Sequence, residues 1–406
     1  LNKMKLFKLL FVAIIAFGMM ACNNEQDVPE IIDGPEATVS VMVVPTSNGS
    51  TVRLAGDLSP ADAGGIAIDE SNIKMLEVFI FSGGLPDGYG KATSETTVTQ
   101  VLGITTHSGP KTFYVVANAD IKQVATEAEL LAKTKDIPVD ISKGLPMTSK
   151  GISVDLVAGE NQYGFSEGTP NYKGGAKQHG IDTPAQLVRV NARVAIVSAV
   201  LDNTKLPADQ LAIFDALTDI QVAMFNVPKT SNLFGASLAI NDDFLLGNDW
   251  PTTEGSYMQL TDGGVLESSF EQASALNIVS TDAPYFYVTE NDGITEKERM
   301  LIVLRGKPTK GGDPVVSPKL YTDASGYTYY PVWVNATKAG YTYTGDNTGD
   351  NIIRRNTQYN IALSIYGIGN PTIDPTENAF LDVNVSVAPW LVVTQNVDWG
   401  TPPVAP

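Results

Sequence analysis

Residues 37–45 read A-T-V-S-V-M-V-V-P, and residues 381–389 read L-D-V-N-V-S-V-A-P. In both stretches apolar residues alternate with other residues at a period of two, which is typical of a β-strand with one buried face. Each stretch stops at a proline, which cannot donate a backbone hydrogen bond to a neighbouring strand. The chain therefore carries two copies of one strand pattern, which align Val39, Val41 and Val43 with Val383, Val385 and Val387.

Two interpretations of this similarity are open from the pattern alone. Alternation of β-branched residues is common, so two strands of any β-rich protein can look alike. Alternatively, both strands fit the same groove. In that case the second strand, supplied by another molecule, could replace the first strand once the first had been removed.

The N-terminal stretch indicates export. Lysines within residues 3–8 precede an apolar run over residues 9–20, which is shorter than the roughly 20 residues that a membrane-spanning helix needs. The run therefore predicts a cleaved signal over residues 1–21. Cys22 follows directly and is the only cysteine of the chain, which resembles a bacterial lipobox and predicts lipidation of Cys22. An ordinary signal followed by an incidental cysteine is the alternative.

Arg53 is the only basic residue between Lys8 and Lys74. It lies in a stretch of small, polar and glycine residues, a composition typical of exposed loop tips where proteases cut. A solvated surface arginine is one interpretation. The other is a processing site, because a cut after Arg53 would free residues 22–53, including the first of the two similar strands.

Composition predicts the fold class and excludes some partners. The 406 residues include 36 glycines, 24 prolines and 29 tyrosines and phenylalanines together, and threonine alternates with valine in many segments. These features predict an all-β chain of two tandem β-sandwich domains, with the first over residues 54–184, the second over residues 185–399 and a tail over residues 400–406. The formal net charge of −18 argues against nucleic acid as a partner.

Periodicity predicts strands and two short helices. One helix is expected within residues 119–135, capped by Asp120, and another near residues 208–217. Residues 187–200 are expected to form one long strand, and residues 159–184 to link the two domains. Further strands are expected at 75–81, 96–104, 111–118, 152–157, 220–226, 284–289, 300–305, 328–335, 359–365 and 390–399.

The residues of common catalytic sites are sparse, so we expect neither an enzyme nor a cofactor. The two histidines, His107 and His179, lie far apart in sequence, and a zinc site or a Ser-His-Asp set would need a denser cluster. Aromatic residues alternate over residues 327–333. They could form a sugar-binding platform, but their alternation favours packing in a core.

Several segments together resemble the major fimbrillins of Bacteroidales type V pili, and the similarity runs essentially end to end. The segments that carry the resemblance are S-N-L-F-G-A at 231–236, F-Y-V-T-E-N-D at 286–292, T-Y-Y-P-V-W-V-N at 328–335, R-V-N-A-R at 189–193 and A-P-W-L-V-V at 388–393.

The resemblance implies that both sandwiches have a transthyretin-like, Greek-key topology. It also implies how the precursor is processed and assembled. The precursor would be held at the outer membrane by lipid on Cys22 and cut by an arginine-specific surface protease between Arg53 and Leu54. Cleavage would release the strand of Val39, Val41 and Val43, and the open groove would take a strand from the next subunit. The resemblance leads us to expect a residue smaller than leucine directly after the arginine, and Leu54 differs from that expectation. The candidate donor residues are Val383, Val385 and Val387, or Trp390 and Val392 of the terminal segment.

The implied product is a homopolymer at the cell surface that works with minor, tip and anchor pilins and adheres to host proteins or other bacteria, as in a biofilm. Two alternatives are kept. One is a monomeric surface lipoprotein that binds a glycan or a host protein. The other is an anchor or tip subunit of the same pilus, which would keep its first strand or lack a usable donor.

Overall fold

A computed structural model provides the coordinates for the full chain. The residues that it describes are 34–44, 70, 72–136, 143–235, 244–245, 256–258, 260–261, 264–265, 271–272, 276, 284–292, 299–315, 322–337, 341–345, 349–373 and 381–389.

Strands dominate the described residues. The first half contains β1 (Glu36–Val44), β2 (Met75–Ser82), β3 (Leu85–Thr93), β4 (Gln100–His107), β5 (Gly109–Ala117), β6 (Thr134–Asp136), β7 (Met147–Thr148), β8 (Ile152–Leu156), β9 (Gly159–Tyr163), β10 (Lys177–His179), β11 (Ala185–Gln186) and β12 (Val188–Arg189). Its one described helix is α1 (Glu127–Leu131).

The second half continues in the same way, with helix α2 (Ala208–Leu211) after its first strand. Its strands are β13 (Ala192–Leu201), β14 (Ala216–Phe225), β15 (Thr230–Asn232), β16 (Ser256–Met258), β17 (Leu260–Thr261), β18 (Gly264–Val265), β19 (Glu271–Gln272), β20 (Tyr285–Val288), β21 (Leu301–Lys310), β22 (Asp313–Pro314), β23 (Thr328–Trp333), β24 (Tyr341–Gly345), β25 (Thr357–Ile365) and β26 (Leu381–Pro389). The predicted all-β class is confirmed.

Two sheets enclose the core of the first half. One sheet runs in the order β10-β9-β1-β11, with β4 also paired to β1, and the other runs β12-β7-β5-β2-β3, with β8 paired to β5. Apolar side chains from both sheets meet in one cluster, in which Val41 of β1 lies with Val78 of β2 and Phe113 of β5. Burial of this alternating apolar face is the main force that holds the two sheets together.

The second half repeats this arrangement. One sheet runs β20-β13-β25-β26-β24, and the other runs β16-β14-β21-β22, with β19 and β23 attached to β14 and β21. The shared cluster includes Ile196 of β13, Val222 of β14, Ile302 of β21 and Val385 of β26.

A segment of the second half also packs on the first half. β15 pairs with β6, and Leu233 lies fully buried in a cluster with Phe79 and Tyr114. Thr148 donates a hydrogen bond of 2.9 Å to the Leu233 carbonyl oxygen. The S-N-L-F motif of the sequence is therefore part of the junction between the two halves.

The first predicted helix is wrong in its extent and its cap. Helix α1 covers only five residues, and the Thr126 hydroxyl accepts the capping hydrogen bond from the Glu129 amide. Upstream, the buried carboxylate of Glu77 accepts hydrogen bonds from the amides of Ile121 and Lys122. A helix cannot begin there, because Asp120 and Lys122 have positive φ values of +53° and +67°, outside the range of a right-handed helix.

Two further predictions on secondary structure are corrected. The second helix ends at Leu211, because the chain turns into β14 from Ala216. The expected long strand over residues 187–200 is two strands: β12 pairs with β7 in the first half, whereas β13 begins the second half. The break lies at residues 190–191, where the Asn191 carbonyl accepts a hydrogen bond from the Asn356 amide.

Strand β3 is absent from the strands expected from the sequence. It follows β2 directly after Gly83-Gly84. Both glycines have positive φ values, +57° and +85°, and they join β2 to β3 as a two-residue hairpin. Positive φ at both central positions gives the turn a twist that matches the twist of paired strands. The expected strand over residues 390–399 lies outside the described residues.

Candidate functional site: the β1 slot

Strand β1 lies inside its sheet with a partner on each side. It pairs antiparallel with β4, where Val39 lies opposite Ile104 and Val41 opposite Val101. On its other side it pairs parallel with β9 over residues 37–41 and with β11 over residues 43–44. We call the space that β1 fills between β4 and β9 the β1 slot. Removal of β1 would leave two unpaired strand edges facing each other.

The inward face of β1 is apolar and closed to water. Val39 and Val41 have no exposed surface, and Val43 is only 1% exposed. Full burial of a valine side chain stabilises a fold by about 1.5 to 3 kcal/mol. The slot therefore selects a strand with apolar side chains at every second position.

One wall of the slot lies in a stretch that was expected to be a linker. The prediction for residues 159–184 was wrong in this respect, because β9 and β10 fall within it and pair in parallel with each other. The sequence G-E-N-Q-Y of β9 has no apolar alternation that would indicate a strand. Its neighbours β1 and β10 are parallel to it, so no tight turn joins them to β9, and the sequence therefore shows no turn motif that would indicate the strand.

Strand β26, like β1, lies inside its sheet with a partner strand on each side. It pairs antiparallel with β25 along its whole length and parallel with β24 over residues 383–387. Val383 and Val385 are buried in the core of the second half, and Val387 lies opposite Tyr359 in register. The two similar strands thus fill corresponding positions in two different sheets, and the structure does not bring them together.

The remaining predicted site residues fall outside the described part of the chain. These are Cys22, Arg53, Leu54, Trp390 and Val392. By chain connectivity, Arg53 lies between β1 and Glu70.

Glu70 belongs to a buried charge cluster at the junction of the two halves. Its carboxylate accepts a hydrogen bond of 2.9 Å from Arg193 of β13 and another from the Tyr287 hydroxyl. Its carbonyl oxygen accepts a hydrogen bond of 3.1 Å from Arg189 of β12. Burial is the main cause that raises the pKa of Tyr287, so its hydroxyl stays protonated as a donor. The cluster therefore ties the chain that follows Arg53 to both halves.

A second charge cluster lies beside the start of β1. The Asp87 carboxylate is 2.8 Å from the Lys111 ammonium and 2.6 Å from Nδ1 of His107, which pairs with Glu36 of β1. Burial raises the pKa of Asp87, but hydrogen bonds from Lys111, His107 and Thr106 outweigh that effect and lower it to about 2. The carboxylate is therefore ionised over the physiological range.

The structure places the two histidines apart, each with a local partner. His107 contacts Asp87, and Nε2 of His179 lies 3.0 Å from Asn161 Oδ1. Within the described ranges, no group of three or more His, Cys, Asp or Glu side chains is arranged to hold a metal ion. Among those same residues no helix has the length and apolar character to span a membrane.

The aromatic residues of β23 and its preceding turn are packed rather than presented to solvent. Tyr327, Tyr329, Tyr330 and Trp333 are all buried. The Arg305 guanidinium lies 4.1 Å from the centre of the Tyr327 ring and donates to the Tyr329 hydroxyl. Burial, together with a hydrogen bond to Asp323, raises the pKa of Tyr329 to about 12. These rings therefore provide no open platform for a sugar.

Comparison with known proteins identifies the class as fimbrial subunits. A family model described as the major fimbrial subunit protein (FimA) matches residues 37–189, and one described as the FimA4 pilin C-terminal domain matches residues 212–390. A major fimbrium subunit FimA type-2 from Porphyromonas gingivalis is 33% identical over 98% of this chain and 100% of its own length. A type-3 subunit from the same species is 31% identical with the same coverage.

Solved structures agree with the sequence matches. A fimbrilin from Porphyromonas gingivalis W83 has 25% identity and a TM-score of 0.63, covering 88% of this chain and 98% of that one. A cell adhesion protein from Parabacteroides distasonis shares the fold at 19% identity and a TM-score of 0.58, over 88% of this chain and 100% of its own. The chain belongs to the FimA family of major fimbrial subunits. The resemblance seen in the sequence is confirmed.

Proposed function

We propose that this chain is the structural shaft subunit of a cell-surface fimbria and polymerises by donor-strand exchange. The precursor is exported, acylated on Cys22 at the outer membrane and cut between Arg53 and Leu54 by an arginine-specific protease. The cut frees β1, and a strand from the next subunit fills the β1 slot. The polymer works with tip and anchor pilins and mediates adhesion to host proteins or other bacteria.

The position of β1 is the observation that carries this proposal. β1 is an internal strand, yet it precedes Arg53 in the chain, so one cut separates it covalently from all the strands that surround it. The strand that replaces it can form hydrogen bonds with β4 and β9 and insert apolar side chains in place of Val39, Val41 and Val43. Such strand addition provides backbone hydrogen bonds for affinity and side-chain pockets for specificity.

The terminal segment, with Trp390 and Val392, is the better supported donor of the two candidates. Val383 and Val385 already fill the core of their own half, and β26 is hydrogen-bonded on both edges. If β26 left to act as a donor, the second half would lose an internal strand. The segment after Pro389 can serve as a donor without that loss.

The experiment that tests the processing step replaces Arg53 with lysine, which keeps the positive charge at that position. An arginine-specific protease should leave Arg53→Lys uncut and monomeric, whereas limited treatment with a lysine-specific protease should restore cleavage and filaments. Electron microscopy and N-terminal sequencing provide the readouts, and the filament protein should begin at Leu54. Filaments built from uncut Arg53→Lys chains would contradict the proposal.

A further inference from the structure

A short segment crosses the outer face of the β1 slot. Gln100 of β4 lies opposite Met42 of β1 in register, and Gln162 of β9 lies opposite Ser40. The two glutamines therefore stand on either side of β1, on the face that points away from the core. Both bind residues 170–173, which we call the strap.

The contacts of the strap run to both walls of the slot. On the β4 side, the Gln100 amide nitrogen donates to the Pro170 carbonyl at 3.0 Å, and the Asn171 side chain donates to Gln100 Oε1 at 2.7 Å. On the β9 side, the buried Gln162 donates to the Asn171 carbonyl at 2.7 Å and accepts from the Lys173 amide at 2.8 Å. Four hydrogen bonds thus connect β4 to β9 over the top of β1.

We propose that the strap holds β4 and β9 at a fixed separation, so that the slot stays open when β1 has left. Neighbouring strands lie about 4.8 Å apart, so the two walls are about 10 Å apart while the slot is filled. Without a support, an empty apolar slot would close, because closure removes apolar surface from water and pairs the two free edges. The strap opposes closure because its hydrogen bonds join the walls and persist without β1.

The strap also restricts the path and the chemistry of the incoming segment. The core lies beneath the slot, the walls flank it, and the strap covers it near Ser40 and Met42. A segment must therefore enter lengthwise. Its outward side chains beneath the strap must be no bulkier than those of Ser40 and Met42, which they replace. This inference rests on the proposed function, since it concerns the same slot after β1 has been released.

The test uses the full chain, cut after Arg53, from which mild urea strips the released peptide before the urea is removed. Mass spectrometry confirms that β1 has left. A labelled synthetic peptide with the sequence of residues 36–44 is then added, and its rate of rebinding is measured. The strap variant is Gln100→Ala/Gln162→Ala. The matched control is Glu167→Ala, because Glu167 is an exposed residue of the same loop.

Wild type and Glu167→Ala should rebind the peptide at equal rates. The strap variant should rebind it at least about tenfold more slowly, because its slot can close once the hydrogen bonds of the strap are lost. The amide of Lys173 should stay protected from hydrogen exchange in the stripped wild type. Equal rebinding by the strap variant, or loss of Lys173 protection when β1 leaves, would overturn the proposal. Filament growth is a separate readout: rebinding without filaments would refute donor-strand exchange but not the strap.

Discussion

The Glu70 carboxylate accepts a 2.9 Å hydrogen bond from Arg193, and both side chains are completely buried. The two residues are 123 positions apart, and their contact fixes Glu70, which follows Arg53 in the chain, against the first strand of the second half. After cleavage this ion pair would anchor the new N-terminal segment, so that only the part before Arg53 is free to leave.

We predict that Arg193→Met destabilises the chain by about 3 to 5 kcal/mol, because it leaves the Glu70 carboxylate buried without its cation. Urea unfolding followed by circular dichroism measures the change. Lys133→Met is the matched control. It removes an exposed ion pair with Glu129 and should change the free energy of unfolding by less than about 1 kcal/mol. An equally small effect in both variants would contradict the buried role of Glu70.

The Asp87 cluster predicts that the free energy of unfolding depends on pH. Its pKa falls from 3.8 in the unfolded chain to about 2 in the fold, so the ionised carboxylate stabilises the protein fully above pH 4. That contribution is lost as the pH falls toward 2. Wild type should therefore exceed Asp87→Asn by about 2 kcal/mol at pH 7, and the gap should shrink below pH 4. Urea unfolding between pH 3 and 7 measures the gap, which for the exposed Asp155→Asn should stay near zero.

Substitutions at two neighbouring residues of β26 should affect the stability of the chain differently. Val385 is fully buried, whereas Asn384 is exposed on the same strand. Val385→Asp should destabilise the uncut monomer by several kcal/mol, because it places an unpaired charge in the core. Asn384→Asp should melt within a few degrees of wild type. If Val385→Asp melts normally, β26 is not held in its own sheet and becomes a candidate donor again.

We predict that the precursor is lipidated on Cys22. Cys22→Ala should incorporate no labelled palmitate and should leave a precursor that fails to sediment with outer membranes, since the acyl chains provide its anchorage. Cell fractionation and labelling measure both effects. Equal labelling of wild type and variant would show that the lipid is attached elsewhere.

The sequence was informative where apolar residues alternate along a strand, because the alternation shows which face of the strand is buried. The alternating valines of β1 and β26 predicted both strands and their inward faces. It was uninformative where partners are remote: Glu70 meets Tyr287 across 217 positions. The polar strand β9 also gave no periodic signal, although it forms one wall of the slot. Two of the motifs that carry the family resemblance, those with Leu233 and Arg193, lie at the junction of the halves rather than at β1.

The most direct test of donor-strand exchange is to identify what lies beside β4 before and after assembly. Val101 faces the slot opposite Val41, so a small diazirine-bearing residue at position 101 would crosslink to the strand that occupies it. Mass spectrometry of the uncut chain should find a crosslink to residues 36–44 of the same molecule. In filaments the crosslink should join position 101 to residues 390–399 of another subunit. Filaments in which position 101 still crosslinks to residues 36–44 would contradict the account.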